Sequence, residues 1–145
     1  IRGQCPAGGC VLSLACDYRI MTTEGDPRIG LNEVALGISV PHYWIQLFER
    51  VVGFHVADRL LQTGALITST EAHKLGLIDK LVTKDQLLSA AESEMAARLK
   101  FPDFGRVLTK LSLRGEISKK WEAYADEEAT GGWKGLSNPA TTAAL

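Results

Sequence analysis

Cysteine, histidine and long apolar runs are all scarce in this chain. Its 145 residues include three cysteines, Cys5, Cys10 and Cys16. The odd count and the lack of a zinc-like pair spacing argue against a disulfide framework and a cysteine metal site. The thiols read instead as small buried groups in a reducing compartment. A nucleophilic cysteine needs a nearby histidine. His42, His55 and His73 lie in or beside helical stretches, with no carboxylate or cysteine at useful spacing. No apolar run approaches the ~20 residues of a membrane helix, so no membrane span is expected. An excess of one charge is missing too. Sixteen basic and 17 acidic residues leave a net charge of −1, which gives no electrostatic case for nucleic acid or an anionic membrane. No basic-then-apolar leader is visible. The chain opens on Ile1 and reads at once as the end of a strand. It is expected to be a piece of a longer polypeptide, so the missing leader says little about location.

What is present is ordinary for a globular domain: 46% apolar and 23% charged residues. The length suffices for one domain or part of a larger one. The chain is organised around one stretch, from Cys5-Pro6-Ala7-Gly8-Gly9-Cys10 to Ile29-Gly30-Leu31-Asn32-Glu33. Gly8-Gly9 stand at the mouth of an expected helix, Cys10 to Cys16, small and apolar all round and so buried on all sides. Free N–H groups at a helix start can grip an anion. Glu33 lies between Leu31 and Val34-Ala35-Leu36, a lone carboxylate in apolar surroundings. An anion gripper plus one desolvated carboxylate points to proton transfer next to a carbonyl.

The remaining elements follow from periodicity and punctuation. Residues 1–4 read as a strand end and Pro6 to Gly9 as a turn. Asp17 to Met21 and Arg28 to Leu31 read as strands. Pro41 opens a helix carrying Trp44, Leu47, Phe48, Val51 and Val52 at helical spacing. A second helix, Phe54 to Gln62, stops at Gly64. Thr68 with Glu71, and Thr83 with Gln86, have capping-box spacing. The first pair starts a short helix, Glu71 to Leu75. The second starts a long helix whose face is marked by Leu88, Ala91, Met95 and Leu99 and which ends near Lys100. Leu77 to Val82 reads as a strand between them. Two amphipathic stretches, roughly 105–115 and 116–128, come next; Gly131-Gly132 interrupt, and the small apolar tail from Leu136 reads as a further helix. The pattern is α/β early and helical late. The late helices carry more apolar surface than this chain covers, so packing on another part or subunit is expected.

Each feature also has a plainer reading. Two glycines before a helix serve a turn that needs their dihedrals, and on spacing alone that reading is preferred. Glu33 is either a surface carboxylate at a strand end or a buried base with a raised pKa; composition leaves both open. Asp17-Tyr18-Arg19 reads as a structural polar cluster. Trp44 and Trp121 read as core or interface anchors rather than ligand platforms.

Taken together, several short motifs resemble the crotonase (enoyl-CoA hydratase/isomerase) superfamily. They are Pro6-Ala7-Gly8-Gly9-Cys10, Cys16-Asp17-Tyr18-Arg19, Ile29-Gly30-Leu31-Asn32-Glu33 and Leu36-Gly37-Ile38, continued by Leu60-Leu61-Gln62-Thr63-Gly64, Glu71-Ala72 and Gly76-Leu77-Ile78-Asp79. Within the superfamily the likeness is to enoyl-CoA isomerases of the mitochondrial type. The resemblance implies the C-terminal part of a ββα spiral core over residues 1–82 and a helical trimerisation region over 83–145. It implies a carbonyl-gripping N–H at Gly8, a general acid/base at Glu33 and a substrate contact at Asn32. It implies an acyl-CoA thioester substrate, with CoA belonging to the substrate. No metal or redox cofactor is expected. A homotrimer, a role in β-oxidation of unsaturated fatty acids and a mitochondrial matrix location, with the peroxisome as alternative, follow as expectations. The departures select the reaction. Hydratases carry a second glutamate three residues after the oxyanion glycine, where this chain has Val11. Dienoyl-CoA isomerases carry an aspartate where it has Pro41. Peroxisomal-type isomerases place their glutamate in a stretch that here is Gly37-Ile38-Ser39-Val40, without an acid. A single-glutamate isomerase remains. Another acyl-CoA hydratase or hydrolase, or a non-catalytic scaffold subunit, is the alternative. The second oxyanion donor and the CoA nucleotide contacts belong to an N-terminal half outside this chain.

Overall fold

The computed structural model describes residues 1–143. Strand β1 (Cys5–Pro6) pairs in parallel with β3 (Arg28–Gly30), Cys5 opposite Ile29 and Pro6 opposite Gly30. Strand β4 (Ile67–Thr68) adds to β3 in the antiparallel sense. A second parallel pair joins β2 (Ile20–Thr22) to β5 (Lys80–Val82). Helix α1 (Gly8–Ala15) crosses from the first sheet to the second. A 3₁₀ turn (Glu33–Leu36) follows β3, and helices α2 (His42–Val52) and α3 (Phe54–Leu61) pack on each other and, through α2, on α1. Helix α4 (Ser69–Lys74) leads to β5, and α5 (Leu87–Arg98), α6 (Asp103–Leu136) and α7 (Pro139–Thr142) complete the chain.

The apolar spacing read from the sequence builds one main core. Cys10 and Leu14 of α1, Met21, Ile29, Leu31, Phe48, Leu77 and Ile78 are almost wholly out of solvent. Arg19 is buried beside that core with a partner at each guanidinium nitrogen. Its Nε donates to the Leu77 carbonyl at 2.8 Å and its Nη1 to the Cys16 carbonyl at 3.2 Å, and its guanidinium meets Asp79 at 3.0 Å. The polar cluster at 17–19 is structural, as read. Asp17 takes Lys110 and Arg114 of α6, and the Arg98 guanidinium lies over the Tyr18 ring.

Several expectations need correction. The first strand is at Cys5–Pro6, not at residues 1–4, and α1 begins at Gly8, inside the stretch read as a turn. Helix α1 is not buried all round: Leu12 is 74% exposed. Leu77 and Ile78 precede their strand rather than belong to it. At Thr68 the hydroxyl accepts the Glu71 N–H at 3.2 Å, as a cap should, whereas Thr83 donates to Asp85 and α5 starts at Leu87 with no side-chain cap. The face of α5 marked by Leu88, Met95 and Leu99 points outward, each side chain being about 60% exposed; Leu87 and Ala90 are the buried ones. The two late helices are one, 34 residues long, running through Gly131-Gly132. Its apolar side chains, Phe104, Val107, Leu108 and Leu111 among them, stand exposed, in keeping with the excess apolar surface read from the sequence. Ala144 and Leu145 of the tail lie outside the described residues.

Candidate active site

Two parallel strands place the site. In a parallel pair both carboxyl ends leave the sheet at the same edge, where open α/β sheets bind their ligands. Gly8 follows β1 by two residues and Glu33 follows β3 by three, so both emerge at that edge. Ala7 makes the turn between β1 and α1. Its N–H bonds to the Gly30 carbonyl at 2.9 Å and its own carbonyl accepts Val11 N–H at 3.1 Å. Ala7 holds φ 50° and ψ −126°, a strained conformation for an L-residue. That ψ fixes the plane of the 7–8 peptide and hence the direction of the Gly8 N–H, one of the helix-opening donors without an intrahelical acceptor.

Glu33 opens the 3₁₀ turn and is 6% exposed. Both carboxylate oxygens are buried without a hydrogen-bond partner. Desolvation raises its pKa above the ordinary glutamate value. Of the two placements left open by composition, surface or buried, the structure shows the buried one. The turn is held by its surroundings. Gly37, at φ 72°, closes it, and the Ile38 N–H returns to the Glu33 carbonyl at 3.0 Å. Gly64 backs it so closely that a β-carbon there would lie 2.8 Å from the Ala35 nitrogen. From the helical region, Thr141 donates its hydroxyl to the Gly37 carbonyl at 3.1 Å.

Asn32 occupies the cap position of the turn yet caps nothing, and its Oδ1 is buried and unpartnered. Asn32 Oδ1 and the two Glu33 oxygens are thus three buried acceptors that no donor among the described residues meets, an arrangement that costs stability. Cys10 sits in the first turn of α1, fully buried. Burial pushes its thiol up to about 12, with the charges of Cys5 and Glu33 adding to the effect. That coupling puts Glu33 within electrostatic reach of the start of α1, and it makes Cys10 a poor nucleophile. Trp44, in the first turn of α2, brings its ring edge to 3.8 Å from where a Gly8 β-carbon would be. No local pattern in the sequence signals that contact or the strain at Ala7. Val11 is buried in the core. Among the described residues no group of three or more His, Cys, Asp or Glu side chains could hold a metal ion. Two surface grooves of about 650 and 600 Å³, lined largely by α5 and α6, include none of Gly8, Asn32 or Glu33.

The class of protein is shown by comparison with known families. Residues 1–130 match the enoyl-CoA hydratase/isomerase family, and the chain belongs to that family. Among its relatives, the mitochondrial enoyl-CoA delta isomerase 1 of Mus musculus is 44% identical over 114 residues, covering 79% of this chain and 39% of that protein. The Homo sapiens protein of the same name is 42% identical over 128 residues, covering 88% of this chain and 42% of the relative. The crystal structure of human mitochondrial delta3-delta2-enoyl-CoA isomerase superposes with a TM-score of 0.92 at 34% identity, over 98% of this chain and 55% of that one. The chain thus spans less than half the length of these two relatives, and its α/β fold with a long C-terminal helix is crotonase-like.

Proposed function

We propose that the protein carrying this chain is a Δ3,Δ2-enoyl-CoA isomerase, in which Glu33 alone shuttles the proton. A 3-enoyl thioester has acidic protons at C2, between the carbonyl and the double bond. Ionised Glu33 removes one, leaving a dienolate. The dienolate oxygen is held by the Gly8 N–H and the positive end of α1. Glutamic acid then returns the proton at C4, and the double bond lies between C2 and C3. One base suffices because the two carbons are about 2.5 Å apart by standard bond geometry. An oxyanion donor of this kind contributes about 3–4 kcal/mol to lowering the barrier.

The observation that carries the reading is the Glu33 carboxylate, buried with both oxygens unpartnered. Burial without a donor makes it a stronger base once ionised and keeps a captured proton from solvent. Asn32 Oδ1, also unpartnered, would accept a substrate N–H or O–H. Val11 stands where a hydratase keeps a second carboxylate, and adding water calls for two such groups. By extension the substrate is an acyl-CoA, the assembly a homotrimer through the exposed late helices, and the setting β-oxidation in the mitochondrial matrix.

The test supplies 3-enoyl-CoA to the full-length protein and follows the 2-enoyl product, with Glu33→Gln alongside. Isomerisation lost in the variant is expected. Activity that survives the substitution would defeat the mechanism, no activity in the wild type would favour a scaffold, and strong hydration of 2-enoyl-CoA would show that Val11 does not select the reaction.

A further inference from the structure

We infer that Trp44 is a specificity-determining residue, a wall that limits the acyl group to an unbranched chain beside the thioester carbonyl. The inference rests on the isomerase reading for its substrate but on separate geometry for its site. Gly8 is half-exposed, and a β-carbon at that position would meet one atom within 4 Å, the Cη2 of Trp44, at 3.8 Å. Trp44 is itself only half-buried, packed on the core along one side. The other aromatics of α2 are engaged elsewhere: Tyr43 stacks on Trp121 and meets Tyr124, His42 meets both tyrosines, and Phe48 is buried in the core. Trp44 has no such ring partner among the described residues, and its free edge points at the residue proposed to hold the carbonyl.

An acyl group whose carbonyl oxygen sits on the Gly8 N–H has its next carbon within a few ångströms of that edge. A linear 3-enoyl chain presents a single hydrogen at C2 on the side away from Glu33. A 2-methyl-3-enoyl thioester keeps one C2 proton for Glu33 but turns its methyl group toward the indole. The indole is backed by the core it packs on, and the helix that carries it is held by buried Tyr43 and Phe48. The wall therefore discriminates at C2 by exclusion, the means by which a packed apolar pocket rejects one extra carbon.

The test compares kcat/KM for linear and 2-methyl-branched 3-enoyl-CoA in the full-length protein with Trp44, Trp44→Phe and Trp44→Ala. The linear-to-branched ratio is expected to fall by about tenfold or more in the alanine variant, the order of effect that one methylene has in such a pocket, and by less with phenylalanine. A second arm needs no turnover. Saturated acyl-CoA should change the tryptophan fluorescence of the wild type, and that change should shrink in Trp44→Phe to what Trp121 and Trp133 contribute, a readout that also serves if the alanine variant does not fold. A ratio that stays constant in the phenylalanine and any folded alanine variant overturns the inference, as does a fluorescence change of undiminished size in Trp44→Phe. If the wild type isomerises nothing yet its Trp44 responds to acyl-CoA, the isomerase reading fails and the acyl-binding wall stands. If neither happens, both fail.

Discussion

Asp79 Oδ2 lies 3.0 Å from the Arg19 guanidinium and 2.7 Å from the Arg19 backbone nitrogen. One carboxylate thus fixes a buried cation and the chain direction as α1 hands over to β2. The Asp79 N–H returns to the Arg19 carbonyl at 3.0 Å, tying β2 to the approach of β5. The two partners are unequally shielded, the arginine side chain being 9% exposed and the aspartate 28%. Removing Asp79 strands a buried guanidinium. Asp79→Ala should therefore cost about 3 kcal/mol in urea unfolding of the full-length protein. Asp79→Asn, which keeps a hydrogen-bonding oxygen beside the guanidinium and loses only the charge, should cost less. Equal costs would mean that the hydrogen-bonding oxygen does not hold the guanidinium as described.

Gly64 should be intolerant of a side chain for two reasons. It holds φ 61°, and a β-carbon would press on the Ala35 backbone. Gly64→Ala must move the turn that carries Glu33. A stability loss of about 1–3 kcal/mol is expected from the strained backbone, with a fall in kcat because a base displaced by an ångström loses its alignment. A variant with wild-type kcat would show that the contact does not position Glu33.

Glu33 makes stability depend on pH in an unusual direction. Its pKa in the fold lies above the ordinary 4.5, so across that window the folded state binds more protons than the unfolded one. The stability associated with the protonated form is present below the unfolded value and is lost as pH rises through the folded one. Glu33→Gln removes this penalty. The variant should be more stable than the wild type at pH 7, and the gap should close in acid. Parallel thermal melts across pH test this; a variant less stable at pH 7 would contradict it.

The two threonine pairs with cap spacing differ in geometry, and so should their mutants. Thr68→Ala removes an acceptor that the Glu71 N–H uses and should cost about 1 kcal/mol. Thr83→Ala removes a hydroxyl that bonds Asp85 outside the helix and should cost well under that in the same unfolding assay. Equal losses would refute the distinction.

These pairs show what was legible in the sequence. Local signals carried several elements and the placement of the candidate site: the glycines that open α1, the apolar flanks of Glu33, the Thr68 cap and the periodic face of α2. Tertiary relationships were not legible. Strand β4 is two residues long and exists because β3 lies beside it. Gly131 and Gly132 looked like a break, yet a β-carbon at either meets open space. Glycine inside a helix costs only about 1 kcal/mol, which a long helix absorbs. Leu88, Met95 and Leu99 have core spacing and face outward because periodicity marks a stripe without saying what covers it. Glu33 was ambiguous for the same reason. Its neighbours in sequence suggested burial, but its lack of any donor depends on the whole surrounding fold.

The most direct measurement of the central claim follows the proton itself. A 3-enoyl-CoA deuterated at C2 is converted by the full-length protein in ordinary water, and the product is examined at C4. One buried glutamate without polar partners should carry deuterium from C2 to C4 in a substantial fraction of turnovers, and Glu33→Gln should lower kcat by about 10²–10⁴-fold, the range of general acid–base catalysis. Full exchange with solvent at C4, or turnover undiminished in the variant, would contradict a single-glutamate shuttle.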